Sequence, residues 1–415
     1  MQAIIAIPDT HTLNQYGGPE ALMRQVCGVP LLVRVIKTAV RAGVDSLLMI
    51  WPSDVPQSIW LSAQAALDRE SVCGIIVVQP ERFEPRRNPN WMELSELLED
   101  SFLWLPWNWV TNKTVLASLE LSEALPTDWN LPILLNRDAA IQGSRIRFSI
   151  EGRREGVAVT STHSAAEAER LVVARSGKPL DGIYSTFNRW LCRPVVRLLS
   201  HTSVTPNAVT LAGLAVAILS CWEFARGFYA AYVCGALLFF LSGLCDEIDG
   251  MLARIKFRES AFGTWFEGFV DNATYLLVFV GITIGLYRQR GSEELLWGAA
   301  LVAGSVLSIV VINLQRKWST DPSRPNEYLG NVYAKLDSDS SNFVSFAARH
   351  LNVFLKKAVA IHYLLLFTLF GGLTLFLRLA AIGADLTWIL TIYFNGRFFR
   401  RPAAAALAPE IQAAA

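Results

Sequence analysis

From residue 208 onward the chain runs in apolar stretches of nearly one length. They lie at about 208–225, 228–245, 268–287 and 294–314, with two more between about 344 and 396. Each approaches the roughly 20 residues that a helix needs to cross a bilayer. Basic residues gather before the first run (Arg193, Arg197), after the second (Arg254, Lys256, Arg258) and after the fourth (Arg316, Lys317). They recur at the end, at Arg397, Arg400 and Arg401. The intervening connections hold Arg226 alone, then Arg288 and Arg290 offset by Glu293 and Glu294. Since Lys and Arg stay on the cytoplasmic side, the pattern predicts six spans in the cytoplasmic membrane with both termini inside. The opening residues Met1–Asp9 are too short an apolar run for a signal peptide and lack a basic lead, which agrees with a cytoplasmic N-terminus.

Residues 1–176 read differently. Ile4–Ile7, Ser46–Trp51 and Gly74–Gln79 are short runs rich in Ile, Val and Leu, as buried parallel strands are. An amphipathic helix from Pro30 to Gly43 joins the first two, so an α/β, Rossmann-like unit with right-handed crossovers is expected. A capped helix over Thr162–Arg175 precedes a break at Gly177-Lys178-Pro179, which sets the domain boundary. Over Ile183–Leu199, Arg189, Arg193 and Arg197 fall four apart among apolar residues. That spacing fits a helix in the membrane interface with its basic face toward headgroups, or a surface helix packed on the front domain. Residues 177–205 are thus linker and interfacial helix, 206–400 the membrane domain, and 401–415 an Ala-rich tail expected to be disordered. With 37 basic and 36 acidic residues, nothing in the charge balance suggests a nucleic-acid partner. The six cysteines form no CxxC pair, which removes structural zinc and a disulfide framework.

Chemistry concentrates where the second apolar run ends. Asp246 and Asp249 are three apart, and Glu267 and Asp271 are four apart, so on helices each pair shares a face. Two such faces turned toward each other would gather four carboxylates at the mouth of a membrane bundle. Ionisable residues there mark functional sites, and a hard divalent cation, Mg2+ or Mn2+, is what neutralises them. Paired cations about 3.5–4 Å apart clamp phosphate oxygens. Glycines 263, 268, 281 and 285 fit close helix approach.

The spacing D-x2-D-G-x2-A-R-x8-G-x3-acid-x3-D resembles the signature of the CDP-alcohol phosphotransferase family. Asp246, Asp249, Gly250, Ala253, Arg254, Gly263 and Asp271 match it, while Glu267 stands where the family has Asp. The resemblance implies a six-helix membrane domain with a two-metal site held by Asp246, Asp249, Asp271 and Glu267, and Asp271 as general base. It also implies that Asn207, Thr210, Gly250, Ala253, Arg254 and Gly263 surround the nucleotide. Physically, Gly250 lets backbone approach the nucleotide, and Arg254 can neutralise phosphate. Thr205-Pro206 is equally a plain helix start. Arg349, with Lys356 seven residues on, is the candidate for an acceptor phosphate, although positive-inside flanking explains the same charges. A homodimer through the membrane helices is the family's expectation.

The front half resembles sugar-nucleotide transferases that use CTP. The domain order is similar to bifunctional enzymes joining an inositol-phosphate cytidylyltransferase to a membrane phosphotransferase. In those enzymes a Gly-rich loop with a basic residue follows the first strand, and a later strand ends in a metal-holding Asp. Here the loop reads Pro8–Gly18 without that pattern, and Asn108 occupies the place of the Asp. A catalytically degenerate nucleotidyltransferase-like shell is therefore expected. The activity implied is transfer of a phospho-alcohol group from a CDP-alcohol, of CDP-diacylglycerol or CDP-inositol type, to a polyol or polyol-phosphate acceptor, releasing CMP. A membrane-anchored binding scaffold, or a chain whose front domain still uses CTP, are the rival readings.

Overall fold

The computed structural model describes residues 1–67, 74–80, 83–123, 125–126, 128–142, 147–148, 155–177, 182–319 and 357–394. Arg349, Lys356 and the 401–415 tail fall outside them. The chain divides into two compact units: Met1–Pro179 with Trp190–Val204 and Met251–Glu259, and Leu180–Arg189 with Thr205–Gly250 and Ser260–Ala415.

The strands of the first unit are β1 (Gln2–Ala6), β2 (Gln25–Val26), β3 (Val29–Pro30), β4 (Ser46–Ile50), β5 (Gly74–Val78), β6 (Ser101–Trp104) and β7 (Trp109–Thr111). After them come β8 (Leu121–Ser122), β9 (Leu125–Pro126), β10 (Ile133–Asn136), β11 (Arg147–Phe148) and β12 (Gly156–Ala158). Its helices are α1 (Thr10–Asn14), α2 (Leu31–Arg41), α3 (Gln57–Leu67), α4 (Asn88–Glu93), α5 (Lys113–Ala117), α6 (Arg137–Gln142) and α7 (Thr162–Ala174). Six strands form one sheet in the order β5-β4-β1-β6-β10-β8. β1 runs parallel to β4 and β6, and β4 to β5, while β10 is antiparallel to β6. The three apolar runs are thus the parallel strands that their composition predicts.

Both faces of that sheet are covered, which is why its strands show no polar alternation. On one face Ala3, Ile5, Leu47, Met49 and Leu103 pack with Leu32, Val35 and Ile36 of α2. On the other, Ile4, Leu48 and Phe102 meet Trp91, Trp104 and Trp129. Trp91 stacks on Phe102 and Trp129 with ring centroids 5.3 and 5.8 Å apart. The loop after β1 runs into α1 and is held by two side-chain caps. Asp9 caps α1 by accepting from the Thr12 amide at 2.8 Å, and Asp54 accepts from the Thr10 amide at 2.7 Å. Asn108 sits between β6 and β7, buried, with its carbonyl accepting from the Val159 amide at 2.8 Å.

Helix α8 (Ile183–Ser200) follows. Its arginines do not form a face toward headgroups. Within the first unit Arg197 donates to Glu169 of α7 at 3.2 Å, and within the second Arg189 donates to Glu247 at 2.9 Å. What α8 exposes is apolar: Ile183, Phe187, Trp190, Leu191, Val195 and Leu198. An arginine facing carboxylates of its own chain gains more than one facing water, so the charged stripe turns inward and the apolar stripe outward.

The second unit holds α9 (Pro206–Ala225), most of α10 (Tyr229–Ile255), α11 (Ala261–Arg290), α12 (Ser292–Ser319), α13 (Lys357–Leu369) and α14 (Leu373–Phe394). Five of these are long and apolar enough to cross a membrane, and Val359–Leu369 is a shorter apolar helix. The protein is therefore built as an integral membrane protein. The Thr205 side chain caps α9 by accepting from the Ala208 amide at 3.3 Å, with Pro206 in the first turn. Helix α11 packs on α9 and α12, and α12 on α14. Gly281 and Gly285 lie against the α9 backbone at Cys221 and Phe224, where a Cβ has no room. Gly268 has open space at that position, so close packing accounts for two of the glycines and not for this one.

Candidate functional site

Helix α10 brings Asp246 and Asp249 to the second unit three residues apart, about 60° around the helix from each other. The next helix is started by Ser260, whose hydroxyl accepts from the Gly263 amide at 3.0 Å. That cap sets the phase of α11 and hence the direction of Glu267. One carboxylate oxygen from each of Asp246, Asp249 and Glu267 lies within 4.8 Å of the others. Asp249 is buried, and the other two are half-buried.

This set differs from the expected one. Glu267 joins the cluster in spite of departing from the family's Asp, because its extra methylene extends its reach. Asp271 shares its face but lies one turn further, about 6 Å along the axis, and is not in the group. Asp271 is thus placed beside the carboxylates and not among them.

Thr210 and Asp249 meet directly: the hydroxyl donates to Asp249 Oδ2 at 2.5 Å, with Thr210 buried. Such a bond fixes the carboxylate's rotamer. Asn207 lies against the start of α11, its Oδ1 3.4 Å from where a Cβ on Gly263 would stand. The tighter neighbour of that position is the Ser260 hydroxyl, at 3.1 Å. Gly250 follows Asp249 on the same helix. The structure thus brings together Asn207, Thr210, Asp249, Gly263 and Glu267, from three helices.

Arg254 lies four residues past Gly250, on the same face of the helix. Five residues past Asp249, it points about 140° away around the helix. It belongs to the first unit, where its Nε donates to the Ser176 carbonyl at 2.5 Å. Ala253 falls in the same unit, half-buried. Arg349 and Lys356 lie outside the described residues. Sequence reasoning overlooked Glu247. It pairs with Arg189, both nearly buried at 12% and 10% side-chain exposure, which takes it out of the metal set. The signal was there: Asp246-Glu247 are adjacent, so on a helix the two cannot share a face.

What this arrangement defines is a membrane-embedded helical domain with a carboxylate cluster between neighbouring helices. The residues fit a hard divalent cation, since the donors are all oxygens, are close enough for shared coordination and include a fixed, buried Asp. Residues 203–393 match the CDP-alcohol phosphatidyltransferase family, and the cluster falls inside that match. Members of that family generally use divalent metals.

Relatives cover the same part. An archaetidylinositol phosphate synthase of Methanothermobacter thermautotrophicus is 32% identical over 124 residues, spanning 28% of this chain and 60% of the relative. The archaetidylinositol phosphate synthase of Pyrococcus horikoshii is 25% identical over 89 residues, 21% of this chain and 46% of the relative. The inner membrane protein YnjF of Escherichia coli is 29% identical over 112 residues, 27% of this chain and 50% of the relative. The chain spans about half the length of the curated relatives it matches.

Proposed function

We propose that the protein transfers a phospho-alcohol group from a CDP-alcohol to a second alcohol and releases CMP. The observation that carries this is the mutual approach of Asp246, Asp249 and Glu267 within 4.8 Å inside a stretch that matches the family. These three carboxylates would hold Mg2+ or Mn2+, as a one- or two-cation site. When bound, such a cation neutralises the pyrophosphate and stabilises the departing phosphate.

The chain's own groups do the rest. Thr210 keeps Asp249 oriented. Asn207, Gly250 and Gly263 border the nucleotide. Asp271, one turn along the same face, takes the proton from the acceptor hydroxyl, a role for which a carboxylate next to the cluster but outside it is suited. The relatives' name, archaetidylinositol phosphate synthase, favours an inositol-phosphate acceptor and a CDP-linked lipid donor. A phosphate on that acceptor would call for a cation such as Arg349 or Lys356.

The six apolar helices are proposed as six spans of the cytoplasmic membrane, with termini and site on the cytoplasmic side and two copies forming a dimer. Residues 1–176 are proposed as a nucleotidyltransferase-like shell without that chemistry, since Asp9 and the Thr12 amide are bound to each other in α1.

The test is direct. Purified protein with Mn2+ and a CDP-linked lipid should form CMP when inositol phosphate is added, and chelation should stop it. Absence of CMP with every CDP-alcohol tried, together with absence of bound metal, would make the protein a membrane-anchored scaffold instead.

A further inference from the structure

Along one side of α11 the residues four apart change steadily in character: Glu267, Asp271, Tyr275, Phe279. Each stands beside the one before it, about 6 Å further along the axis. Two carboxylates are thus followed by a neutral phenol and then by hydrocarbon. The transfer chemistry uses the carboxylates and leaves Tyr275 without a task.

Tyr275 belongs to the same wall of the site. Its ring meets Phe239 of α10 edge-on, with centroids 5.7 Å apart. Phe239 is seven residues before Asp246, two turns away on the same face of α10. The phenol therefore lies beneath the carboxylates, toward the midpoints of both helices. A long side chain on a helix leans back toward the N-terminus, which turns this hydroxyl toward the level of Asp271. The charges of Asp271 and Asp246 both act on it.

The hydroxyl bonds to neither. It is buried and, among the described residues, makes no hydrogen bond. The ring packs against Phe239 and against Phe279, whose centroid is 5.8 Å away. A buried hydroxyl left without a partner is costly, and in native proteins most have one. Beside a site for substrate, the missing partner is a ligand atom. The phenol O–H is a donor, so that atom is an acceptor oxygen with charge above it and hydrocarbon below. A nucleotide-linked lipid has its groups in this order: pyrophosphate, then the oxygens next to the lipid alcohol, then the chains. A soluble CDP-alcohol is polar to its end and gains nothing from Phe239 and Phe279.

We propose that Tyr275 selects the donor, its hydroxyl donating to an ester or ether oxygen beside the transferred phosphate of a CDP-linked lipid, with the first carbons of the chains against Phe239 and Phe279. The inference rests on the transfer reading and adds to it the residue that recognises a lipid alcohol. Tyr275 acts in donor binding and takes no part in the proton transfer given to Asp271.

The experiment is steady-state kinetics of Tyr275→Phe, full length in nanodiscs with Mn2+, CDP-diacylglycerol and inositol phosphate, followed by CMP release. The variant keeps the ring and loses only the hydroxyl. Its KM for CDP-diacylglycerol should rise about tenfold, the loss of one hydrogen bond in a buried site. The KM for inositol phosphate, inhibition by CMP and Mn2+ affinity should stay as they are. The melting temperature should not fall, because among the described residues the hydroxyl has no partner to lose. An unchanged KM for CDP-diacylglycerol, or CMP inhibition weakened just as much, would overturn the proposal. So would a lower melting temperature, the sign of a structural role. If the unaltered protein releases CMP from CDP-glycerol but not from CDP-diacylglycerol, the transfer reading stands and the lipid assignment falls. If it releases CMP from neither, the transfer reading itself falls and takes the assignment with it.

Discussion

The two units use their acidic side chains in opposite ways. In the first, the loop after β1 has closed into α1, with Asp9 bound to the Thr12 amide and Asp54 to the Thr10 amide. Polar groups at the carboxyl end of a parallel sheet, where ligands usually bind, are engaged with their own backbone. In the second, Asp246, Asp249 and Glu267 face one another across two helices, a costly arrangement without a cation between them. The acidic caps of the first unit hold its own backbone, whereas carboxylates that repel one another call for a cation between them.

The largest effect expected from this contrast is at Asp249. Asp249→Asn keeps the size of the side chain and removes its charge. It should cut CMP formation at least about a thousandfold, as removal of a charged group from such a centre does, with the melting temperature of the first unit unchanged. Activity that survives the change would place the reaction elsewhere and break the comparison.

Next comes a test of the first unit alone. Trp91 is fully buried, stacked between Phe102 and Trp129. Trp91→Ala should destabilise that unit by about 3–5 kcal/mol, seen as a lower denaturant midpoint in tryptophan fluorescence. A loss below about 1 kcal/mol, the range of surface changes, would mean that the aromatic layer does not hold the shell together.

A smaller effect is expected at Glu267, where the chain departs from its family. Its reach is what brings an oxygen to the cluster, so Glu267→Asp should weaken Mn2+ binding about tenfold, the low end for a disturbed metal site. Tighter binding in the variant would show that Asp271, and not Glu267, completes the centre.

How far the sequence could be read follows from what each pattern encodes. Apolar runs such as Ile4–Ile7 and the bilayer-length stretches report burial, and burial is what strands and spans need, so the parallel strands and five bilayer-length helices came through. The cluster was legible as residue types at helical spacing, and Glu267 was legible as a departure. Its membership was not. That depends on an offset of about one turn between two helices, which no spacing within one helix contains. The arginine stripe of α8 failed for a similar reason. Periodicity shows that Arg189 and Arg197 share a face, but their partners Glu247 and Glu169 are distant in sequence, so the side that the face turns to was hidden.

The smallest effect separates the units by pH. Glu155 is held below the ordinary carboxylate range, first by the Arg175 hydrogen bond and then by the charge of that guanidinium, and it lies outside the membrane helices. A depressed carboxylate contributes stability that is fully present above its unfolded pKa, near 4.5, and is lost as pH falls through the folded value. Unfolding of the first unit in zwitterionic nanodiscs, followed from neutral pH into acid, should therefore show its midpoint falling below about pH 4.5, and Glu155→Gln should flatten part of that slope. The ion pair is exposed, so the change will be slight and should shrink further in high salt. Equal slopes for Glu155→Gln and the unaltered protein would remove this pair from the forces holding β12 to α7, and leave the buried side chains of Val159 and Ala168 to do so.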